Sequence, residues 1–597
     1  MQHRPTDWWL AALTVFYITV ARGQASPGAD AIFEQTNAVD WRATSSAVEP
    51  VSVHLVGFND LHGRLSQPPG TTSKKPAHVS GGAAVLAAYL ETEREALPKR
   101  TLTLIAGDSW GASTLMSSAL HEEPTLSVLN ALADGDCPTL QPYSPPAATF
   151  AVTRCRIIAT LGEHELEGGS TELARLLYGA VDKKNSSPTS VWGGAHVPFI
   201  SANILHADTL ELLLPAAIIV DLDGIRIGVI GAITEDAPTL LSPGRIADLA
   251  ITTAATAVNT AVQALHAQGV NVIVLVIHEG LTDPITLQTI PRQLNQVHGG
   301  LKQVLEGIHG GVDVVIAGHT HALNAVLLPL ADGSMTLVTQ ARMGGSALSS
   351  IDLTIDRRTG KVTAKSARLI TTWADDRPGQ KPVKKIAHLV AAAEQATAAT
   401  SASVLNHNPM MLLRGKPSDA ASSLGFLLAD AARTIAGTDF AFVDANDIRD
   451  DLLAGPITKG SLFAVQPSNH QLIKITLDGE QIYRLLEQQW HGNERIAEFL
   501  RVSGLTFTYD NLRLAGHHVD SIKTASGDML ERTRTYTVAA SDVLSAQGSR
   551  YGVLSEGKNR SVVAIDLAAT EQYIRQLADP IAPPAESRAH LSTERPH

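Results

Sequence analysis

Cysteine is scarce in this chain of 597 residues, which contains only Cys137 and Cys155. Two cysteines without a CxxC arrangement cannot build a metal or redox site by themselves. In an oxidising compartment such a pair would most simply form one disulfide, and two unpaired thiols are the alternative.

Basic residues are also fewer than acidic residues. The chain has 47 Lys and Arg against 59 Asp and Glu, a net charge of -12. This balance disfavours a nucleic-acid-binding surface, which needs clustered positive charge. An anionic substrate would have to be attracted by local positive charge, most simply by bound metal ions.

Long hydrophobic runs are missing after the N-terminus. The one apolar stretch near it, residues 8–21, follows Arg4 and precedes the small-x-small pattern of residues 23–25. This pattern is typical of a signal peptide cleaved after Ala25. A membrane anchor is the alternative, but the stretch is short for a span, which needs roughly 20 apolar residues. We therefore expect a periplasmic or secreted protein without stable membrane insertion after cleavage.

The rest of the sequence alternates apolar strands with helical patterns, which indicates an α/β layered domain. Five of the strands end in Gly, Asp, His or Glu, and functional groups of α/β sheets gather at the carboxyl ends of strands. An Ala-rich helical run then precedes a second α/β region. We predict a signal peptide at 1–25, a flexible lead at 26–49, a first domain at 50–378, a linker helix at 379–403, a second domain at 404–579 and a disordered tail at 580–597.

The polar residues at these strand ends form a candidate metal centre. Residues two apart on an extended chain project to the same side, so Asp60 with His62, and His319 with His321, can each offer two ligands to one place. Asp108 can bridge two ions. Mixed carboxylate and imidazole ligands suit Zn, Mn or Fe. The full candidate set is Asp60, His62, Asp108, Glu163, His164, His278, His319 and His321.

Five motifs in this order, NDLHGRL, AGDSWGAS, LGEHELEGG, VIHEGL and AGHTHA, resemble those of the 5′-nucleotidase family. The resemblance covers about residues 50 to 575. It implies a four-layer α/β/β/α metallophosphoesterase sandwich, followed by a smaller α/β substrate-binding domain. It also implies two divalent metal ions, Zn, Mn or similar, and hydrolysis of a phosphate ester.

The resemblance assigns roles to the candidate residues. The first metal site would take Asp60, His62, Asp108 and His321, and the second would take Asp108, Glu163, His278 and His319. His164 matches the family's catalytic histidine. Glu167 stands where the family keeps an Asp that orients that histidine.

Glu163 departs from the family, which has a neutral Asn ligand at this position. The extra negative charge cancels the surplus positive charge of a centre with two dications, two aspartates and a hydroxide. We therefore expect tighter metal binding and weaker attraction of phosphate.

The second domain departs further from the family. VDANDIRDDL resembles the family's Asn-Gly-Gly-Gly-Ile-Arg loop, with Arg449 retained as a bidentate phosphate contact and Asp444 in place of Asn. We expect both residues to bind substrate, and Arg449 also to take part in catalysis.

The family's two base-stacking Phe residues are replaced by Ser468 and Val543. Losing both rings argues against standard nucleotide specificity unless Tyr551 or Phe463 substitutes for them.

These observations favour a secreted, metal-dependent phosphoesterase of the 5′-nucleotidase type, which acts on a nucleotide or a related small phosphate ester. One alternative is a catalytically weakened or inactive homologue that serves as a binding protein. Another is a cyclic-nucleotide or sugar-nucleotide phosphodiesterase. The sequence does not determine the oligomeric state.

Overall fold

The structure is a computed structural model. It describes residues 39–43, 49–67, 79–133, 137–142, 150–179, 192–282, 292–374, 381–468, 470–490, 497–546, 549–584 and 587–592. The predicted signal peptide lies outside the described residues. Thr36–His597 forms one compact unit. Within the described part of the chain, no helix combines the length and the apolar character that crossing a membrane requires.

The first part of this unit contains the following elements. They are β1 (Val39–Arg42), β2 (Pro50–Phe58), α1 (Ala83–Ala96), β3 (Thr101–Ala106), α2 (Leu115–Ala119), α3 (Glu123–Leu132), β4 (Phe150–Thr153), β5 (Ile157–Thr160), α4 (Gly169–Tyr178), β6 (Phe199–Ile200), β7 (Ile204–His206), β8 (Ala217–Leu222), β9 (Ile225–Ile233), α5 (Ala237–Leu240), β10 (Leu249–Ile251), α6 (Ala254–Ala267), β11 (Val272–His278), α7 (Gly300–Gly307), β12 (Val314–Ala317), β13 (Leu323–Pro329), β14 (Met335–Ala341), β15 (Ala347–Asp356) and β16 (Lys361–Thr371).

The remaining elements follow in chain order. They are α8 (Lys384–Ser401), β17 (Val404–Asn408), α9 (Ser423–Ala436), β18 (Phe440–Val443), β19 (Gly455–Thr458), α10 (Lys459–Val465), β20 (Gln471–Asp478), α11 (Gly479–Glu487), β21 (Arg501–Ser503), β22 (Leu505–Tyr509), β23 (Val519–Thr524), β24 (Thr535–Ser541), β25 (Lys558–Ile565), α12 (Asp566–Gln576) and β26 (Ala589–Leu591).

Two seven-stranded sheets form the centre of the first part. Sheet I has the order β1-β16-β15-β2-β3-β5-β6, and sheet II has the order β13-β14-β12-β11-β9-β8-β4. The β11 sequence shows how they pack, because Val272, Val274 and Val276 enter the core between the sheets. The alternate residues Ile273 and Leu275 pack instead with α6 and α7. Side chains of a strand alternate between faces, so a continuous apolar run serves two cores.

Helices cover the outer face of each sheet. The core outside sheet I includes residues of α1, α3 and α4, and the core outside sheet II includes residues of α6 and α7. The result is an α/β/β/α sandwich. In the second part, sheet III (order β21-β18-β24-β20-β25) has α11 against one face and α9 with α12 against the other. The predicted fold class is confirmed.

The helix α8 lies in the segment predicted to link the two domains. Its apolar residues Ile386, Val390 and Ala393 belong to the core of the first part. Elsewhere, Cys137 and Cys155 form the expected disulfide.

Two terminal predictions are wrong for part of their range. Val39–Arg42, in the predicted flexible lead, forms β1 and pairs with β16, and Val39 is fully buried. Ala589–Leu591, in the predicted disordered tail, pairs with β22. Arg588 anchors that strand through two hydrogen bonds, of 2.8 and 2.7 Å, to the carboxylate of Asp430. A buried side chain and a bidentate ion pair hold these segments in place.

Candidate metal centre and adjoining cleft

The candidate ligands lie where the carboxyl ends of strands from both sheets meet. In sheet I, β2, β3 and β5 are parallel neighbours, and in sheet II β11 and β12 are parallel neighbours. The two edges approach closely, since a Cβ on Gly107 would lie 2.6 Å from Nδ1 of the His278 side chain. Gly107 also has a φ of +76°, so two constraints require glycine there.

The backbone is left-handed at many of the candidate ligands. Positive φ is uncommon for residues other than glycine and is found where the surrounding structure enforces it, often at functional sites. The residues are Asp60 (53°), His62 (49°), Asp108 (50°), His319 (72°) and His321 (55°).

A first group of ligands consists of Asp60, His62 and His321, whose ligand atoms lie within 4.8 Å of one another. Nε2 of His321 is 3.4 Å from Oδ1 of Asp60. The two imidazoles approach to 3.2 Å between their Nε2 atoms.

A second group consists of Glu163, His278 and His319. Oε1 of Glu163 lies 2.9 Å from Nδ1 of His319, and Oε2 lies 3.0 Å from Nε2 of His278. Asp108 joins the two groups, because its Oδ2 lies 3.0 Å from Nε2 of His278 and 3.7 Å from Nε2 of His62. The structure brings the predicted ligands together, and their division into two metal sites with a shared aspartate stays a prediction.

Two buried atoms test whether the residues suit a metal ion. Oε2 of Glu163 and Nε2 of His278 make no hydrogen bond within the described part of the chain. Such atoms are costly to bury without a partner. Coordination of a divalent cation would satisfy both, and imidazole with carboxylate is a ligand set that Zn and Mn accept.

Backbone carbonyls orient two of the imidazoles. Nδ1 of His62 donates to the carbonyl of Gly111 at 3.0 Å, and Nδ1 of His278 donates to that of Ala106 at 2.7 Å. Each bond leaves the Nε2 lone pair directed at the centre, as metal-ligating histidines require.

The electrostatics of the centre also favour cations. Burial alone would raise the pKa of Glu163, but His319 and His278 outweigh it and hold that pKa well below its usual range. The pKa of Asp108 falls to about 2, since the neighbouring histidines outweigh burial and the Glu163 charge. Burial lowers the pKa of His62 to about 4. Ionised carboxylates and a neutral imidazole are the states in which these groups bind metal.

Glu165 has a structural role that the sequence motifs did not indicate. Its carboxylate, 2% exposed as a residue, accepts from the backbone N–H groups of Asp108, Ser109 and Gly162 at 2.9, 2.5 and 2.6 Å. It therefore ties the loop after β3 to the loop after β5. Burial and the nearby Asp108 charge raise its pKa to about 8. An acidic residue inside a glycine-rich metal loop was the available signal.

His164 lies beside the metal centre. Its Nε2 is 3.9 Å from Oδ2 of Asp108 and 3.9 Å from Oε1 of Glu163. Its Nδ1 donates to Oε1 of Glu167 at 2.6 Å. The predicted pairing of His164 with Glu167 is present in the structure.

A cleft of about 360 Å³ opens next to this pair. Both parts of the chain contribute to it, including His164, Glu167, Glu122 and Arg245 from the first part and Ser468 and His470 from the second.

Arg449 and Asp444 are not among the described residues that line this cleft. Asp444 accepts hydrogen bonds from the backbone and side-chain amides of Asn446 at 2.9 and 3.1 Å. Arg449 lies within electrostatic range of Arg64, which follows the first ligand loop. Burial lowers the pKa of Arg64, and Asp450 opposes this shift while Arg449 adds to it.

Neither suggested substitute for the base-stacking rings is accessible. Tyr551 is 2% exposed and belongs to the core beside sheet III, where its hydroxyl donates to the carbonyl of Glu498 at 3.0 Å. Phe463 is 4% exposed and belongs to a separate core. The suggestion that either ring replaces the clamp is therefore wrong.

Comparison with known proteins agrees with this architecture. Residues 384–556 match the model of the 5′-nucleotidase C-terminal domain. The structure is similar to that of the 5′-nucleotidase precursor from Thermus thermophilus, with a TM-score of 0.69 at 24% identity, covering 91% of this chain and 100% of that one.

Two curated relatives are similar in sequence. Endonuclease YhcR of Bacillus subtilis is 28% identical over 553 residues, covering 91% of this chain. This chain spans only 41% of the length of that protein. Snake venom 5′-nucleotidase of Crotalus adamanteus is 23% identical over 596 residues, covering 92% of this chain and 90% of that protein.

The fold and the relatives together define the class of architecture, an α/β/β/α sandwich followed by a 5′-nucleotidase-like C-terminal domain. Residues 384–556 resemble the C-terminal domain of 5′-nucleotidases, and the fold of the chain is similar to that of a solved 5′-nucleotidase precursor.

Proposed function

We propose that this protein hydrolyses the phosphate ester of a nucleotide or a related metabolite and uses two divalent cations, such as Zn or Mn. The observation that carries the proposal is the position of Asp108. Its Oδ2 lies between His62 of one ligand group and His278 of the other, at 3.7 and 3.0 Å. A carboxylate in this position suits a bridging ligand in a two-metal site.

Cations held by these groups would neutralise the phosphate and increase the acidity of an attacking water molecule. The chain's own contribution is positional. His164 directs Nε2 toward the centre, where it can donate to a phosphate oxygen or to the leaving group. Glu167 accepts from the Nδ1–H group and so favours the imidazolium form, in which Nε2 also carries a proton that it can donate.

Arg449 is proposed as a phosphate contact, with Asp444 as a second substrate-binding residue. The Nε of Arg449 is buried and has no hydrogen-bond partner within the described part of the chain. An unpaired guanidinium N–H group is available to a phosphate oxygen.

Export from the cytoplasm is part of the proposal and rests on the N-terminal sequence. N-terminal sequencing of protein recovered outside the cytoplasm should begin at Ser26. Recovery of an intact N-terminus would contradict cleavage.

The deciding experiment is phosphate release by the purified protein with added Mn or Zn. The panel is AMP, a cyclic nucleotide, a sugar nucleotide and an aryl phosphate. We expect turnover that EDTA abolishes and that His164→Gln lowers roughly a hundredfold or more. Selective turnover of the cyclic or sugar nucleotide would favour the phosphodiesterase alternative. Two bound metals without turnover of any ester would favour the binding-protein alternative.

A further inference from the structure

Glu122 lies in the wall of the cleft beside His164, and it has no role in the proposed hydrolysis. It is the residue before α3, and its backbone φ is +61°, in the left-handed region that glycine occupies without strain. The preceding residue, His121, is left-handed as well, with a φ of +54°. The fold therefore places a carboxyl group in the cleft wall at a conformational cost.

The two oxygens of Glu122 have different surroundings. Oε2 accepts hydrogen bonds from the hydroxyls of Ser113 and Ser117 at 2.8 and 2.6 Å. No described residue donates to Oε1, and the side chain lines the cleft. One oxygen is thus fixed by the protein, while the other is free to accept a hydrogen bond from a bound molecule.

The charge of the surrounding cleft is mostly negative. Glu165, Glu167 and Glu172 line it with Glu122, and Arg245 is the only Lys or Arg among its described lining residues. Burial raises the pKa of Glu122 to about 7, and the Glu167 and Glu172 charges add to the shift. Above that pH Glu122 adds its own negative charge to the cleft.

His470 enters the cleft from the second part of the chain. Its Nδ1 is buried and makes no hydrogen bond within the described residues. Burial lowers its pKa, but carboxylates including Asp447 and Asp566 outweigh burial and raise it. The described wall of the cleft therefore presents a histidine among acidic side chains. It has no cluster of basic side chains that could bind a further phosphate group.

We propose that Glu122 determines specificity for the leaving group of the substrate. Its Oε1 accepts a hydrogen bond from a hydroxyl or ammonium donor on that group, and its charge disfavours leaving groups that carry further phosphate. The protein therefore prefers monophosphate esters of hydroxyl-rich alcohols over substrates such as ADP. This inference rests on the proposed phosphoesterase function.

The nucleobase contributes little to this preference. Ser468 and Val543 are the residues that the family resemblance assigns to stacking positions, and the aromatic rings of Tyr551 and Phe463 are buried. Ribose 5-phosphate, which keeps the hydroxyls and lacks the base, should be turned over nearly as well as AMP.

The test compares kcat/KM for ribose 5-phosphate, AMP, ADP and phosphoethanolamine at pH 8, where Glu122 is ionised. In the unmodified protein we expect the first two to agree within about fivefold and ADP to be at least tenfold poorer. The leaving group of phosphoethanolamine carries an ammonium group and no free hydroxyl, so its kcat/KM shows whether Glu122 accepts from an ammonium donor or from hydroxyl donors. Glu122→Gln should reduce discrimination against ADP roughly tenfold, because one like charge is removed.

Glu123→Gln is the matched control. That carboxylate is next in sequence and pairs with Arg175 at 2.7 Å, and it is not among the described residues lining the cleft. Its AMP to ADP ratio should equal that of the unmodified protein.

Glu122→Gly separates specificity from folding. It removes the carboxylate and relieves the left-handed strain, so its thermal midpoint should not fall below that of Glu122→Gln. Its discrimination against ADP should be lost as well. Pyrophosphate should also inhibit both Glu122 variants more strongly than it inhibits the unmodified protein.

The outcomes distinguish this inference from the function on which it rests. If no ester is hydrolysed with two metals bound, the proposed function fails. If esters are hydrolysed but both Glu122 variants keep the original AMP to ADP ratio, only the role of Glu122 is overturned. A large preference for AMP over ribose 5-phosphate would contradict the minor role of the base.

Discussion

Nδ1 of His164 donates a hydrogen bond to Oε1 of Glu167 across 2.6 Å. The other carboxylate oxygen of Glu167 accepts from the backbone N–H of Ala112 at 3.0 Å, so the acceptor is itself fixed. Burial lowers the pKa of His164, but Asp108 and Glu167 outweigh burial and raise it to about 10. The imidazole is thereby held as a donor whose Nε2 faces the metal centre.

This relationship predicts the effects of two substitutions at one position. Glu167→Gln should lower kcat roughly a hundredfold, because a neutral amide stabilises the imidazolium less well than a carboxylate does. Glu167→Asp should retain most of the activity, since a carboxylate remains three residues after His164. The measurement is kcat at saturating metal and substrate. Equal activity of the two variants would show that the carboxylate does not matter.

Glu163 contacts His278 and His319, and its charge should affect metal affinity and turnover in opposite directions. Glu163→Asn removes one negative charge and keeps a carbonyl ligand, so metal affinity should fall on the order of tenfold. At saturating metal, kcat/KM for a phosphate ester should rise. Metal titration by calorimetry and steady-state kinetics measure the two quantities. Glu211→Gln, an exposed site away from the centre, is the control. Unchanged affinity and unchanged kcat/KM in Glu163→Asn would refute the charge argument.

Close packing at Gly162 predicts a steric effect on the bridging carboxylate. A Cβ at this position would lie 2.1 Å from Oδ1 of Asp108. Gly162→Ala should therefore displace that carboxylate, reduce the bound metal and lower stability by about 1–3 kcal/mol. Gly193→Ala is the matched control, because a Cβ there meets no atom within 4 Å. Metal content and urea unfolding check both variants, and a Gly162→Ala protein with two metals and normal stability would contradict the prediction.

His54 predicts a pH dependence of folding stability. It is buried, with Nδ1 2.8 Å from Asp352 and Nε2 2.9 Å from Glu93. Burial lowers its pKa, but the two carboxylates outweigh burial and raise it from 6.5 to about 9. A raised folded-state pKa gives stability that is complete below about pH 6.5 and is lost as pH rises to about 9.

The size of this effect is about 3 kcal/mol at most, and less where solvent screens the 62% exposed Asp352 side chain. The free energy of unfolding should fall more between pH 6 and pH 9.5 in the unmodified protein than in His54→Gln. Identical changes in the two proteins would exclude His54 as the source.

The sequence by itself determined the apolar strands and the types of side chain that follow them. Apolar runs such as that of β11 predict buried strands, and polar residues at their carboxyl ends predict a site, because parallel strands deliver their ends to one edge. The resemblance to the 5′-nucleotidase family indicated Glu167 as the partner of His164, and a spacing of three residues suits one face of a helical turn.

Only the tertiary structure decided which of these groups meet and which side chains reach the cleft. The approach of β3 to β11 and β12 places Asp108 between two ligand groups, and no local pattern encodes a contact between separate sheets. Burial of Tyr551 and Phe463 depends on cores assembled from distant segments, as does the anchoring of Glu165 by two loops. The left-handed backbone of Glu122 is likewise imposed by its surroundings, since local preference alone would disfavour it. The sequence therefore specifies which chemical groups follow each strand, while long-range packing determines which of those groups lie close together.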